Sequence, residues 1–152
     1  MIKPIALSAL LFLTSLGGCA ATGKPAAGSL ANAGIAATSW RLVAFQSMDD
    51  SQGTIEPVKG KTYTLDFNAN GSVTLQLDCN RGNASYSEGI ANATGGSLTI
   101  SPVAATRALC PPPDMGEMLV ARLPDVASYT LRDGHLFLSL KMDGGIIEFA
   151  PN

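Results

Sequence analysis

The chain has 152 residues, of which 46% are hydrophobic and 14% are charged, and its formal net charge is −2. This length is enough for one domain of ordinary size with a small core. The few cations are scattered along the chain, so binding to nucleic acid, which needs clustered lysine and arginine against phosphates, is not supported.

The first 18 residues have the three regions of a secretory signal, in order. Lys3 supplies a positive charge, residues 5–16 are apolar, and two glycines precede Cys19. The apolar run is too short for a comfortable membrane span. The Leu-Gly-Gly-Cys ending resembles the lipobox of bacterial lipoproteins, which implies that Cys19 becomes the first residue of the mature chain and carries the lipid. The alternative is an ordinary cleaved signal with a chance cysteine.

The residues after the cysteine predict a location and a tether. Ala20 rather than aspartate follows Cys19, a pattern that resembles outer-membrane lipoproteins. We therefore expect an outer-membrane lipoprotein of the bacterial cell envelope that faces the periplasm. Residues 19–37 are rich in small residues and are predicted to form a flexible tether, and residues 38–152 are predicted to form the folded domain.

Alternating apolar residues predict eight short strands in this domain. They cover residues 40–45, 62–67, 72–78, 85–87, 97–101, 127–132, 135–141 and 146–149. Residues 79–83 are predicted to form an irregular corner. One helix is predicted between the fifth and sixth strands, since Asp114 and Glu117 form a capping-box pattern and Pro124 would end it. The predicted fold class is mainly β (α+β): a small antiparallel curled sheet or cracked β-barrel of about 7–8 strands with one helix.

Cysteine counting predicts one disulfide. If Cys19 carries a lipid, Cys79 and Cys110 are the remaining pair, and the periplasm is an oxidising compartment. A bridge between them would close a loop of about 30 residues and stabilise the fold by about 3–4 kcal/mol. Two separate buried thiols are the alternative.

Several short motifs follow one another along the domain. They are Trp40-x-Leu42, Tyr63 to Phe67 with Gly71, Cys79-Asn80 with Gly82 and Tyr86, Thr106-Arg107-x-x-Cys110-Pro111, Leu123-x-x-Val126 and Leu136-x-Leu138. Their order resembles the META domain, a family that includes the HslJ-like envelope lipoproteins. The resemblance covers nearly the whole folded part and implies a compact, barrel-like fold. Asp78 stands where the family usually has glycine, which leaves the backbone shape of that corner open.

The candidate site for binding or structure is the corner formed by Asn80, Thr106 and Arg107. A Thr-Arg step in the connector before a cysteine would place the guanidinium of Arg107 beside Asn80. The structural alternative is that Arg107 pairs with a carboxylate such as Asp78, while Asn80 bonds to the backbone of its turn.

No catalytic residue, metal site or cofactor is predicted. His135 is the only histidine, and a catalytic triad would need a carboxylate and a nucleophile beside it. One histidine and two cysteines that pair with each other fall short of a zinc site. We therefore predict that the protein is not an enzyme and that His135 is an exposed residue at the end of a strand.

These observations predict a non-enzymatic, lipid-anchored envelope protein with a binding role. Some members of the META family are linked to stress response or antibiotic tolerance, so the resemblance implies a role of this general kind. Two alternatives stay open: a carrier of a lipid or hydrophobic small molecule, and an inhibitor of a wall-degrading enzyme such as lysozyme. The expected partners are the membrane, through the N-terminal lipid, and either an envelope protein or a hydrophobic ligand. We expect a monomer.

Overall fold

The computed structural model describes residues 34–152, and the predicted signal and Cys19 lie outside this range. The strands are β1 (Thr38–Gln46), β2 (Thr54–Ile55), β3 (Tyr63–Phe67), β4 (Ser72–Leu77), β5 (Asn80–Asn92), β6 (Gly95–Ile100), β7 (Ala104–Ala105), β8 (Val126–Arg132), β9 (His135–Leu140) and β10 (Ile146–Pro151). The helix α1 spans Gly116–Arg122 and continues into a 3-10 turn at Leu123–Asp125; a second 3-10 turn spans Lys141–Asp143. No helix in the described range is long and apolar enough to cross a membrane.

The eight longer strands form a closed antiparallel barrel. Their order around the barrel is β1, β3, β4, β5, β6, β8, β9 and β10, and β10 returns to pair with β1. Trp40 lies opposite Pro151 in this closing ladder. The predicted mainly β class is confirmed, and the closing ladder completes the barrel. The short strands β2 and β7 pair with the edges of β1 and β5.

The hairpin of β3 and β4 shows how the sequence encodes the barrel. Leu65 lies opposite Leu75, and Phe67 lies opposite Val73, with all four side chains buried in the core. Alternation places apolar residues inside and polar residues outside. Gly71 closes the turn with φ +80°, a conformation that glycine adopts without steric cost.

Strand β5 is longer than predicted. The sequence indicated an irregular corner at residues 79–83 and a short strand at residues 85–87, whereas the structure has a continuous strand from Asn80 to Asn92. Its inward-facing positions include small residues, Gly82 and Ala84, rather than large apolar ones. The apolar alternation that marks a half-buried strand is therefore too weak to see in this stretch.

The helix lies between the fifth and sixth barrel strands, as predicted, but the capping box is wrong. The residue at the N-cap is Met115, and no side chain caps the helix there. Asp114 Oδ1 instead accepts hydrogen bonds from the Gly116 amide at 3.0 Å and from the Tyr63 hydroxyl at 2.8 Å. The Asp114 carboxylate therefore binds both the start of the helix and Tyr63 on strand β3.

Different segments close the two ends of the barrel. At the helix end, near Tyr63 and Leu77, α1 packs its apolar face on the barrel, and its residue Leu119 is buried there. At the N-terminal end, near Phe67 and the start of β1, residues 34–37 carry Ile35, which is 0% exposed. Those four residues fall in the stretch predicted as tether. Between the two ends, aromatic and aliphatic side chains from the strands form one continuous core.

Candidate functional site at the disulfide corner

The structure joins Cys79 to Cys110 by a disulfide, which confirms the predicted pairing. Their Cα atoms are 5.7 Å apart. Cys79 is exposed just before β5, while Cys110 is buried in the connector, defined as residues 106–115, which leads to the helix. The bridge therefore fastens the connector to the barrel wall.

Asn80 holds the same connector through its side-chain amide. Its Oδ1 accepts hydrogen bonds from the Ala108 amide at 2.7 Å and from the Thr106 hydroxyl at 2.8 Å. Its Nδ2 donates to the Ala108 carbonyl at 2.9 Å. The side chain thus pairs with Ala108 much as a neighbouring strand would, so Asn80 bonds to backbone, but to that of the connector rather than of its own turn.

Thr106 continues the pairing that begins in β7. Its amide donates to the Arg81 carbonyl at 2.9 Å, and its hydroxyl accepts from the Arg81 amide at 3.0 Å. A threonine hydroxyl that both donates and accepts satisfies two partners at once. The structure therefore brings Asn80 and Thr106 together as parts of one hydrogen-bonded corner.

Arg107 does not pair with Asp78, contrary to the structural alternative. The Asp78 carboxylate lies 2.5 Å from Lys61 Nζ, which also donates to the Pro111 carbonyl at 2.6 Å. Arg107 is exposed and has no hydrogen-bond or ionic partner within residues 34–152. Lys61 was missed because its role depends on an approach of segments that are 50 residues apart in the chain.

Asp78 keeps the backbone shape that glycine would favour. Its φ is +57°, in the left-handed region that aspartate tolerates better than most residues. The departure from the family pattern therefore changes the side chain without changing the conformation expected of glycine.

Tyr63 ties the far end of the connector to the barrel. Its hydroxyl donates to Asp114 Oδ1 and accepts a hydrogen bond from the Met115 amide at 3.0 Å. Burial, together with the nearby Asp114 carboxylate, raises the pKa of Tyr63 to about 12. The phenol therefore stays neutral, and able to donate, well above pH 10.

An open groove of about 680 Å³ lies between the connector and α1. Arg107 and Leu109 line its connector side, and Glu117 and Val120 line its helix side. Leu109 is 100% exposed. A second groove, of about 580 Å³, lies on the outer face of the barrel beside His135.

Metal-ligating atoms of Asp78, Cys110 and Asp114 come within 4.8 Å of one another. Each is already engaged: Cys110 in the disulfide, Asp78 with Lys61, and Asp114 with Tyr63. A metal ion needs ligands that are free to coordinate it. The chemistry of this cluster is therefore structural.

His135 begins β9 and is half-buried. Its Nδ1 lies 2.7 Å from Glu148 Oε1, on the neighbouring strand, and not beside Asp133. Within the described range, no hydroxyl or thiol is hydrogen-bonded to the imidazole. The arrangement is an outward-facing cross-strand pair.

Sequence reasoning missed a partly buried polar group at the N-terminal end of the barrel. Glu88 follows Ala84 and Tyr86 on the inward-facing series of β5, and its Oε1 accepts a hydrogen bond from the Ile35 amide at 2.6 Å. The alternation along β5 was the available signal, but the small residues in that strand obscured it.

Comparison with known proteins agrees with this architecture. The family model of the META domain matches residues 33–151. A solution structure of a protein from Burkholderia xenovorans is 19% identical, with a TM-score of 0.61 over 86% of this chain and 97% of that one. A DUF4847 family protein from Bacteroides vulgatus is 16% identical, with a TM-score of 0.54 over 78% of this chain and 94% of that one. No curated protein sequence matches the chain. At such identities, the two structures support the fold alone.

Proposed function

Because the chain belongs to the META domain family, we propose that it is a non-enzymatic, lipid-anchored protein of the bacterial envelope that binds a protein partner. Cys19 carries the lipid in this proposal, and the barrel faces the periplasm from the outer membrane. The lipobox-like sequence supports the anchor. The physiological role in this proposal is HslJ-like and lies in envelope stress or antibiotic tolerance.

The rigid, exposed turn of the connector carries the binding proposal. Its backbone is fixed by the disulfide and by the amide of Asn80, yet Arg107 and Leu109 point into solvent. A segment that is ordered in advance loses less conformational entropy on binding. A fully exposed leucine on such a segment contributes little to the fold and is available to a partner.

The packed interior gives less support to the carrier alternative. Trp40, Phe45, Phe67 and Phe149 from different strands are each 5% exposed or less and fill the barrel together with aliphatic side chains. The two grooves described above are both at the surface. A carrier would have to open this core, whereas a protein partner can use the connector as it stands.

One observation favours the inhibitor alternative as a specific form of binding. Arg107 presents an unpaired guanidinium, within the described range, on the rigid turn. Most glycoside hydrolases carry two carboxyl groups in their cleft, and a guanidinium pairs well with a carboxylate. The connector therefore suits insertion into the cleft of a wall-degrading enzyme such as lysozyme.

Site-specific crosslinking in living cells tests the binding role. A photoreactive residue replaces Leu109 in one strain. In a control strain it replaces Ile90, an apolar residue of similar exposure (94%) at the other end of the barrel. We expect a discrete adduct from position 109 that Arg107→Ala abolishes, and none from position 90. Equal adducts from both positions, or none from position 109, would contradict the proposal.

Two further measurements separate the parts of the proposal. Cys19→Ser is expected to abolish lipid labelling and release the protein from the membrane fraction, while Arg107→Ala leaves both unchanged. Purified protein is also mixed with lysozyme and cell walls; inhibition that is lost in Arg107→Ala identifies the inhibitor form. Native mass spectrometry that finds a bound lipid would instead establish the carrier alternative.

A further inference from the structure

The pairing of β7 with β5 continues into the first residues of the connector. The two strands are antiparallel. The Thr106 amide donates to the Arg81 carbonyl at 2.9 Å, and the Ala108 amide donates to Asn80 Oδ1 at 2.7 Å. Thr106 and Ala108 therefore direct their backbone hydrogen-bonding groups toward β5, as alternate residues of a paired strand do.

The residues between these pairs present a free backbone edge. Ala105 lies next to Thr106 at a non-hydrogen-bonded position of the ladder, so its N–H and C=O point away from β5. The backbone groups of Arg107 and Leu109 make no hydrogen bond within residues 34–152. Three alternate residues thus offer donors and acceptors on one side of the connector, which is the pattern of an unpaired edge strand.

This free edge runs along the groove between the connector and α1. Ala105, Arg107 and Leu109 all line the groove, and Glu117 and Val120 line the opposite wall. The groove volume of about 680 Å³ lies within the range that is usual for ligand sites. The unpaired backbone groups therefore face a space that an added strand can enter.

The edge is held in its extended shape before anything binds to it. The disulfide fixes the connector after the edge, and Asn80 Nδ2 donates to the Ala108 carbonyl at 2.9 Å within it. A segment that is already ordered loses little conformational entropy when a second strand pairs with it.

The charges along the groove favour one kind of segment. Arg107 is exposed and has no ionic partner in the described range, so its guanidinium attracts an acidic side chain. Glu117 on the opposite wall repels a second acidic residue. A segment with one acidic residue beside Arg107 and an apolar residue against Val120 fits both walls.

We propose that the connector edge, residues 105–109, binds an extended segment of a partner protein as an added β-strand. This inference rests on the proposed binding role of the connector and specifies the partner as a peptide segment with an acidic residue opposite Arg107. Hydrogen bonds to the backbone of Ala105 and Arg107 supply affinity, and the groove walls supply the side-chain preference.

The test uses the full chain, purified in detergent, and a phage-displayed library of random heptapeptides. We expect the selected peptides to share an acidic residue and to slow hydrogen exchange at the amides of Ala105 and Arg107 at least tenfold, as measured by NMR. Each amide of one selected peptide is then N-methylated in turn. Alternate positions should lose binding at least tenfold and the positions between them should keep it, because only every second amide of a strand faces its neighbour.

A matched pair of variants tests the edge from the side of the protein. Ala105→Pro removes the outward N–H, whereas Ala105→Val keeps it and has a side chain of similar bulk. Ala105→Pro should weaken peptide binding at least tenfold, and Ala105→Val should leave it within about twofold of the parent. If Ala105→Pro does not fold, the N-methylated peptides decide alone.

Three results would overturn the added strand. They are a library that yields no peptide for the groove, equal effects of N-methylation at every position, and protection of the same amides by self-association without peptide. An adduct from position 109 in cells together with any of these results would leave the binding role of the connector in place and remove only the strand pairing.

Discussion

The two ends of the barrel are closed by the same kind of side chain but held in different ways. At the helix end, Leu119 fills the opening, and the connector before it is fastened by a disulfide and by side chains of the barrel wall. At the N-terminal end, Ile35 fills the opening, and the segment that carries it is held to the wall by Glu88. Burial of apolar surface closes both ends, but among the described residues only the helix end has a covalent attachment.

The largest expected effect comes from removing the covalent attachment. Replacing Cys79 and Cys110 together by serine should lower the free energy of unfolding by about 3–4 kcal/mol, because the unfolded chain regains the freedom of the loop. Urea unfolding measures this loss. Trp40 emission from the native state should not change, since the disulfide acts on the helix end alone; a red shift would show that the two ends are coupled.

Removing the polar attachment at Asn80 should have a smaller effect. Asn80→Ala deletes three hydrogen bonds to Thr106 and Ala108 and a weaker one to the Cys110 sulfur, and it is expected to cost about 2 kcal/mol. Thr106→Val, which removes only the hydroxyl, should cost about 1 kcal/mol. If the two variants were equally stable by urea unfolding, the amide of Asn80 would not act as a substitute strand.

The Tyr63 attachment predicts a dependence on alkaline pH. Its folded-state pKa of about 12 lies above its ordinary value of 10.0, so the folded state binds the proton more tightly. This contribution to stability is complete below about pH 10 and is lost as the pH rises toward 12. Burial also raises the pKa values of Tyr86 and Tyr129, so spectroscopic titration should show late tyrosinate ionisation, and Tyr63→Phe should remove the part of it near pH 12. A Tyr63 step near pH 10 would contradict the buried hydrogen bond to Asp114.

The smallest effect tests the backbone at Asp78. Asp78→Ala and Asp78→Gly both lose the ion pair with Lys61, but only alanine keeps a Cβ in the left-handed conformation. Asp78→Gly should therefore be more stable than Asp78→Ala by about 1 kcal/mol. Thermal unfolding of the matched pair measures the difference, and equal stabilities would mean that the corner relaxes to another backbone shape.

Local patterns predicted most of the barrel. Buried and more exposed positions alternate strictly in strands β4 and β9 because only one face of each packs in the core, so each strand can be predicted without knowledge of its neighbours. The disulfide was predicted from the cysteine count together with the oxidising compartment that the signal-like sequence implies.

The attachments at the two ends could not be predicted in the same way. Asp114 is hydrogen-bonded to Tyr63, 51 residues away, and that long-range contact replaced the local capping box. Ile35 is a single large residue among alanines and glycines, so no periodicity marks it as core. Glu88 resembles any solvent-facing glutamate until the chain before β1 is seen to lie across it.

The closing ladder also has a consequence for the speed of folding. Trp40 pairs with Pro151, and Asn152 is hydrogen-bonded to Ser39, 113 positions away in the sequence. Bringing such distant segments together costs chain entropy before any contact between them stabilises the fold, so contacts of this kind slow folding. We therefore expect the barrel to close late, after local hairpins such as that of β3 and β4 have formed.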